Sequence, residues 1–206
     1  MKPQFLTQNL LIKEIFHSLQ GEGGRAGENS IFIRLANCNL NCSYCDTDWT
    51  QGDYLSIETI ISKIKEYKSN WITWTGGEPT LQLTTDIVSY FKGLGFKQSI
   101  ETNGSNPVPA GIDYIACSPK VSIKKLNNSF PNGLDEIRYP IKLNQKLPSV
   151  ELLPKAQNYY ISPIFKGNPQ EKYELDYKNL EYCINLIKNN PQWKLSIQQH
   201  KIWKTQ

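Results

Sequence analysis

The sequence predicts an α/β fold in which short strands alternate with amphipathic helices and form a mainly parallel sheet. Strand-like apolar segments alternate along the chain with segments of helical periodicity. Three helices are evident, too few for a full barrel of about 250 residues, so an open or incomplete barrel fits better. Gly-rich or polar motifs follow strand candidates in four places, and parallel α/β folds bind ligands at the carboxyl ends of their strands.

The individual elements follow from these patterns. The strand candidates are the apolar segments 10–16, 31–35, 71–75, 99–102, 112–117, 136–141, 159–161 and 193–197. Apolar residues at helical spacing mark 57–67, 83–94 and 180–187 as helices. Ser56 is a plausible N-cap, and Gly95 stops the second helix. The motifs at 18–24, 76–79, 103–105 and 118–120 are predicted to meet at one edge of the sheet.

Length and composition restrict the class of protein. The chain has 206 residues, of which 39% are hydrophobic, and this suits a single domain over 1–206 with a substantial core. A net charge of +4 is too small to indicate nucleic-acid binding. No run approaches the roughly 18 apolar residues of a membrane span, and segment 1–16 has scattered charges rather than a long apolar stretch. We therefore expect a cytoplasmic protein with neither a membrane anchor nor a signal peptide.

Cysteine usage gives the first indication of chemistry. There are five cysteines, an odd number that argues against a disulfide scaffold. Cys38, Cys42 and Cys45 fall within eight residues, and three thiolates at this spacing can close on one metal centre. Structural zinc sites and iron–sulfur clusters usually take four protein ligands. His17 or Cys117 could be the fourth ligand, but neither lies at zinc-finger spacing. A cubane held by three cysteines leaves one iron open to an external ligand; the alternatives are a structural zinc knuckle or simply buried thiols.

A second motif follows the triplet. CxxxCxxC followed by Gly76-Gly77-Glu78-Pro79 resembles the radical S-adenosylmethionine superfamily. The resemblance implies that S-adenosylmethionine chelates the open iron and that its reductive cleavage releases a 5′-deoxyadenosyl radical. Gly76 and Gly77 would let the backbone approach this cofactor closely, and Glu78 would accept from its ammonium group. The alternative is an ordinary strand-to-helix turn.

Further motifs narrow the resemblance to the 7-carboxy-7-deazaguanine synthase family. They span residues 17–201 and comprise HSLQGEG at 17–23, Arg34, Cys45-Asp46-Thr47, Glu101-Thr102-Asn103-Gly104, Ser118-Pro119-Lys120 and Gln198-Gln199-His200-Lys201. The family has an incomplete, modified (β/α) barrel. The resemblance implies ring contraction of 6-carboxy-5,6,7,8-tetrahydropterin to 7-carboxy-7-deazaguanine with loss of ammonia, a step of queuosine biosynthesis. It also implies a 4Fe-4S cluster, regenerated S-adenosylmethionine, Mg²⁺, an external electron donor such as a flavodoxin, and a homodimer.

The same resemblance assigns candidate site residues. It places the 4Fe-4S cluster on Cys38, Cys42 and Cys45, and Mg²⁺ on Thr47. The expected S-adenosylmethionine contacts are Tyr44, Asp46, Gly77, Glu78, Glu101, Ser118, Pro119, Lys120, Ser162 and Pro163. The expected pterin contacts are Leu19, Gln20, Gly21, Glu22, Arg34, Thr75, His200 and the terminal Gln206.

The chemistry of these residues suits a flat, carboxylated pterin. Glu22 can accept hydrogen bonds from its guanine-like edge, and Arg34 offers a planar fork to its carboxylate. The alternatives are that Gln20 and Glu22 are solvated loop residues and that Arg34 forms a surface ion pair. Ser162-Pro163 departs from the family, in which Gln precedes the proline.

Two other functions stay open at this point. A glycyl-radical-enzyme activase also carries CxxxCxxC on a short chain, but it acts on a protein substrate. A non-enzymatic zinc-binding module would explain the three cysteines without a cofactor.

Overall fold

The computed structural model describes residues 8–42, 45, 48–167 and 173–205. Nine strands lie within the described residues: β1 Asn9–Leu19, β2 Asn29–Leu35, β3 Asp53–Ser56, β4 Trp71–Gly76, β5 Lys97–Thr102, β6 Tyr114–Cys117, β7 Leu134–Ile141, β8 Ala156–Pro163 and β9 Trp193–Leu195. The helices are α1 Ile57–Ile64, α2 Thr85–Gly93, α3 Ile123–Ser129, α4 Tyr177–Asn189 and α5 Gln199–Trp203. None of the helices in the described part of the chain is long and apolar enough to cross a membrane.

The chain divides into two compact units. The first contains residues 1–18, 29–102 and 108–115. The second contains residues 19–28, 103–107 and 116–206.

In the first unit, the strand order is β3-β1-β2-β4-β5. β2, β4 and β5 are parallel, whereas β3 is antiparallel to β1. Six of the seven residues of β2 are buried or half-buried, as expected for a parallel strand covered on both faces. α1 begins at Ser56, whose hydroxyl accepts from the backbone N–H of Thr59, and it buries four isoleucines in the core.

In the second unit, β6, β7, β8 and β9 are successive parallel neighbours. The Asp176 carboxylate accepts from two backbone N–H groups and starts α4, which buries Cys183. Ile137, Ile161 and Trp193 are also buried in this unit. Residues with even numbers on β7 and β8 share the opposite face, because side chains alternate along a strand; this face includes Glu136, Arg138 and Ser162.

The predicted α/β class with a mainly parallel sheet is confirmed. The three predicted helices are present as α1, α2 and α4, and the described residues also contain α3 and α5, which were not predicted. Both are short: α3 has seven residues and α5 has five, too few for helical periodicity to stand out. β3 was also missed, since its four residues are exposed or half-buried and show no alternation. The single domain over 1–206 stays a prediction.

Candidate functional site

The cysteine loop, residues 37–49, leaves the carboxyl end of β2 in the first unit. The backbone N–H of Asn37 donates to the Trp49 carbonyl at 2.9 Å and joins the two ends of the loop. Lys13 pairs with Asp48 at 2.7 Å beside this closure. Hydrogen bonds from Lys13 and Thr50 hold the pKa of Asp48 well below its usual range. The base of the loop is therefore fixed at both ends.

The Gly-Gly-Glu segment after β4 is joined to the same loop by its backbone. The N–H of Gly77 donates to the Leu35 carbonyl at 2.8 Å, and that of Glu78 donates to the Asn37 carbonyl at 3.0 Å. A Cβ atom on Gly77 would overlap the Asn37 carbonyl oxygen, and one on Gly76 would overlap the Leu35 carbonyl oxygen. Gly76 also has a φ of +113°, a backbone conformation that favours glycine. Gly77 therefore permits close contact with the cysteine loop and Gly76 with the end of β2; their contact with a cofactor stays a prediction.

Glu78 is completely buried at the end of β4. Its Oε1 accepts from the backbone N–H of Thr80 at 3.1 Å and from the hydroxyl of the same residue at 2.7 Å. The hydroxyl of Thr102, at the end of β5, donates to the same oxygen at 2.8 Å. Three donors on one oxygen fix the orientation of the carboxylate.

The three cysteines of the loop are free thiols. Cys38 and Cys42 are half-buried, whereas Cys45 is exposed. The backbone N–H of Cys45 donates to the Cys42 carbonyl at 3.1 Å. Burial raises the pKa of Cys38 against an opposing hydrogen bond from the Leu40 backbone, and nearby Glu78, Cys45 and Cys42 raise it further. A metal centre bound there would displace the thiol proton.

Arg34 and Thr75 lie near the carboxyl ends of β2 and β4, where they are register partners. Arg34 Nε pairs with Glu14 at 2.7 Å, and its guanidinium lies over the Phe16 ring. The Thr75 hydroxyl donates to Glu101 Oε2 at 2.9 Å. Arg34 therefore forms the ion pair of the alternative interpretation, while Thr75 and Glu101 contact each other.

In the second unit, the QGE loop (residues 20–28) follows β1. Gln20 closes it through two backbone hydrogen bonds, from its own N–H to Glu28 and from the Gly27 N–H to its carbonyl, each 2.8 Å. Gln20 is 7% exposed, and its side-chain oxygen accepts from the Glu22 N–H at 3.2 Å. The Gln199 N–H donates to the Gly21 carbonyl at 2.9 Å. Gly21 also lies against His200, whose ring a Cβ would overlap. The chain end thus packs on this loop, while Leu19 just before it is 42% exposed.

Glu22 lies among charged and polar groups from distant parts of the chain. Arg138 Nη1 lies 3.2 Å from Glu22 Oε2, and the Gln198 amide donates to Glu22 Oε1 at 2.8 Å. Arg138 Nε also lies 2.9 Å from Glu136, whose other oxygen accepts from the Gly24 N–H at 2.7 Å. Glu136 and Arg138 were not predicted, because an EIR triplet in a strand carries no motif; only the structure shows that it faces the QGE loop.

Two further predicted segments lie in the same unit. The Lys120 ammonium donates to the Ser118 hydroxyl at 2.9 Å, and the Lys120 N–H donates to the Asn103 carbonyl at 3.0 Å. Pro119 between them is buried. The structure thus brings together the segments that follow β5 and β6.

Ser162 and Pro163 end β8, and both are buried. The Ser162 side chain is only 4% exposed, and its hydroxyl has no hydrogen-bond partner within the described ranges. A buried hydroxyl normally has a partner, so this group is available to a polar ligand.

Comparison with known proteins identifies the family. The Radical SAM superfamily model matches residues 32–175. The chain is 39% identical to the 7-carboxy-7-deazaguanine synthase of Haemophilus influenzae, over 94% of this chain and 93% of that protein. It is 34% identical to the enzyme of the same name from Bacteroides thetaiotaomicron, over 93% and 96%. The chain belongs to the 7-carboxy-7-deazaguanine synthase family of radical S-adenosylmethionine enzymes.

The structure of QueE from Escherichia coli has the same fold. It superposes with a TM-score of 0.70 at 22% identity and covers 97% of this chain and 100% of that chain. This match agrees with the predicted incomplete, modified (β/α) barrel.

Membership of this family gives the chain its cofactors, a 4Fe-4S cluster and S-adenosylmethionine. The donor chemistry of the cysteine loop fits such a cluster, because it presents three free thiols near a buried carboxylate. Over the described residues, no three His, Cys, Asp or Glu side chains lie together in an arrangement that could hold a metal ion. The unpartnered Ser162 hydroxyl is consistent with a polar ligand at the end of β8.

Four predicted site residues lie outside the described residues: Tyr44, Asp46, Thr47 and Gln206. The structure groups the others by unit. The first unit brings the cysteine loop to Gly77 and Glu78, and Thr75 to Glu101. The second brings Gly21 to His200 and Ser118 to Lys120. Their contacts with cofactor and substrate stay predictions.

Another residue that sequence reasoning missed supports the cysteine loop. The Gln82 side-chain oxygen accepts from the Leu11 N–H at 2.7 Å, and its amide donates to the Ala36 carbonyl at 2.7 Å. Gln82 thereby joins β1 to the residue just before the loop. A glutamine four residues after a Gly-Gly-Glu motif gives no local signal for this bridge.

Proposed function

We propose that this protein catalyses the radical ring contraction of 6-carboxy-5,6,7,8-tetrahydropterin to 7-carboxy-7-deazaguanine with loss of ammonia, a step of queuosine biosynthesis. The observation that carries the proposal is the match to enzymes of that name over more than nine-tenths of the chain. The contacts within each unit, of the cysteine loop in the first and of the QGE loop in the second, are consistent with it.

The cofactor side belongs to the first unit. When bound, the cluster and S-adenosylmethionine supply the radical chemistry. Cys38, Cys42 and Cys45 would hold the cluster through their thiolates. Glu78 would accept from the ammonium group of S-adenosylmethionine, and the orientation that Thr80 and Thr102 give its carboxylate supports this role. A preoriented acceptor loses little entropy on binding.

The pterin side needs groups that recognise an amide-like edge and a carboxylate. A Glu22 carboxylate accepts only, which matches the N–H donors of the guanine-like edge. Arg34 would bind the pterin carboxylate with its planar fork. In the structure, Arg34 pairs with Glu14, so the pterin carboxylate would share or replace that partner. Thr47 would supply one oxygen to Mg²⁺, which commonly takes one or two protein oxygens and keeps several waters.

The proposal includes three features that are supported only by the resemblance. The protein would receive electrons from an external donor such as a flavodoxin, act in the cytoplasm and form a homodimer.

An anaerobic turnover assay tests the function. We expect the reconstituted protein to be brown and to convert 6-carboxy-5,6,7,8-tetrahydropterin to 7-carboxy-7-deazaguanine when S-adenosylmethionine, Mg²⁺ and a reductant are present. Mass spectrometry and ultraviolet absorbance detect the product. A colourless protein containing zinc would support the zinc module. A brown protein that cleaves S-adenosylmethionine without converting the pterin would refute the ring contraction and favour the activase.

A further inference from the structure

The Glu22 carboxylate is held at both of its oxygens within the second unit. Arg138 Nη1 contacts Oε2 at 3.2 Å, and the Gln198 amide contacts Oε1 at 2.8 Å. The Glu22 side chain is 17% exposed and that of Arg138 is 7% exposed. Carboxylates held at both oxygens have little rotational freedom, and each oxygen keeps a second lone pair for another donor. The residue is therefore oriented rather than solvated, contrary to the alternative of a free loop side chain.

The group that holds Glu22 is itself fixed. Arg138 Nε lies 2.9 Å from Glu136 Oε1, and the Glu136 side chain is 2% exposed. The other oxygen of Glu136 accepts from the Gly24 N–H at 2.7 Å. The Gly23 N–H donates to the Ser196 hydroxyl at 2.9 Å. Two residues of β7 thus bind both the side chain and the backbone of one short loop.

Gly23 shows how closely this arrangement is packed. It has a φ of +70°, and a Cβ atom there would overlap the Glu136 carboxylate. Only glycine lets the loop backbone approach Glu136 at this conformation without strain. The QGE loop and β7 are consequently matched in both shape and charge.

We propose that Arg138 is a positioning residue that fixes the Glu22 carboxylate for recognition of the pterin edge, and that Glu136 holds Arg138 in place. The inference rests on the proposed function, because it gives Glu22 a ligand to recognise. Arg138 acts through Glu22 rather than on the pterin itself. Lysine cannot replace it fully, since the guanidinium reaches Glu22 and Glu136 with different nitrogen atoms whereas an ammonium is a single point.

A double-mutant cycle on product binding tests the proposal. Calorimetry with 7-carboxy-7-deazaguanine would be done on the reconstituted wild type, Arg138→Lys, Glu22→Gln and the double variant. We expect Arg138→Lys to raise the Kd about tenfold in the wild-type background and less than about twofold in the Glu22→Gln background, because contacting residues couple. Cleavage of S-adenosylmethionine without the pterin should be unchanged in Arg138→Lys, which a general loss of structure would not allow.

A matched control comes from the same loop. Arg25 is also buried and pairs with Glu28 at 2.9 Å, but neither residue is among the groups that hold Glu22. Arg25→Lys should change the Kd by less than about twofold even if it lowers the melting temperature as much as Arg138→Lys does. An equal Kd change for both variants would overturn the proposal, and so would equal effects of Arg138→Lys in the two backgrounds.

A second variant, Glu136→Gln, tests the proposal if Arg138→Lys does not fold. Glu136→Gln keeps the shape and removes the charge that holds Arg138. In the same cycle, it should raise the Kd about threefold in the wild-type background and leave it unchanged with Glu22→Gln. No effect in either background would overturn the proposal. If the wild type neither binds the product nor converts the pterin, the proposed function fails as well. If the wild type does both, but the Kd changes of the single variants simply multiply in the double variant, only the role of Arg138 fails.

Discussion

The cysteine loop and the QGE loop are held in place by different means. Backbone hydrogen bonds from Gly77 and Glu78 join the cysteine loop and the strand before it to the Gly-Gly-Glu segment. The QGE loop is closed by its own backbone hydrogen bonds, but its contacts with the rest of the second unit are made mainly by side chains, since Arg138 and Gln198 bind Glu22. The first arrangement suits a loop whose own side chains must be released to a metal centre. The second suits a loop whose side chain must keep one orientation for an organic ligand.

The variant with the largest expected effect removes a cluster ligand from the cysteine loop. Cys42→Ala should abolish cleavage of S-adenosylmethionine and lower bound iron severely, because three thiolates are already one fewer than most clusters have. Iron content and the visible absorbance band after anaerobic reconstitution measure this. Cys183→Ala is the control, since Cys183 is a buried residue of α4, and burial raises the pKa of its thiol to about 11. Full activity of Cys42→Ala would show that the cysteine loop does not hold the cluster.

A smaller change tests the backbone contacts of the cysteine loop. Gly77→Ala places a methyl group on the Asn37 carbonyl oxygen, and we expect it to destabilise the protein by about 1–3 kcal/mol, as overpacking does, and to reduce cluster loading. Thermal unfolding and iron content measure the two effects.

Gly93→Ala is the matched control. A Cβ atom there meets nothing within 4 Å, and the residue is the last of α2, so stability should be unchanged or rise by up to about 1 kcal/mol. Equal behaviour of the two alanine variants would show that the close approach at Gly77 has no role.

The chain end tests the QGE loop in the same way. Deleting residues 202–206 removes the end of α5, whose first residue donates to Gly21. We expect pterin affinity to fall several-fold and uncoupled cleavage of S-adenosylmethionine to increase, because the segment that packs on Gly21 loosens while the cluster is untouched. Product and 5′-deoxyadenosine, measured together, report both changes. Normal pterin turnover by the shortened chain would exclude the tail from the site.

Ionisation of Tyr139, on the opposite face of β7, should lower the stability of the folded protein only at high pH. Burial, with a smaller effect of Cys117, raises the pKa of Tyr139 to about 12 from an ordinary value of 10.0. The folded state holds the phenolic proton of Tyr139 more tightly than the unfolded state does. The contribution of Tyr139 to stability is therefore fully present below about pH 10 and falls as the pH rises towards 12. Tyr139→Phe keeps the ring contact with Trp193 and should reduce this fall in the melting temperature. An unchanged profile would mean that the phenol is not buried in solution.

The sequence predicted the parts of the site that depend on local spacing. The cysteine triplet and the Gly-Gly-Glu segment stand out because each is short and contiguous, and the strand and helix periodicities placed them correctly after β2 and β4. Glu136 and Arg138 could not be predicted, because they lie more than 100 residues from Glu22 and resemble any charged pair on a strand. Their role depends on tertiary contact, which single-sequence patterns do not contain.

The most direct test of the two roles compares Glu22→Gln with Cys42→Ala in one reaction containing S-adenosylmethionine, reductant, Mg²⁺ and the pterin. The amounts of 7-carboxy-7-deazaguanine and 5′-deoxyadenosine are measured together. If the QGE loop recognises the pterin and the cysteine loop holds the cluster, Glu22→Gln forms about tenfold less 7-carboxy-7-deazaguanine, or less still, than the wild type. This variant still forms 5′-deoxyadenosine, whereas Cys42→Ala forms neither compound. Wild-type levels of product with Glu22→Gln, or loss of both compounds in that variant, would contradict the account.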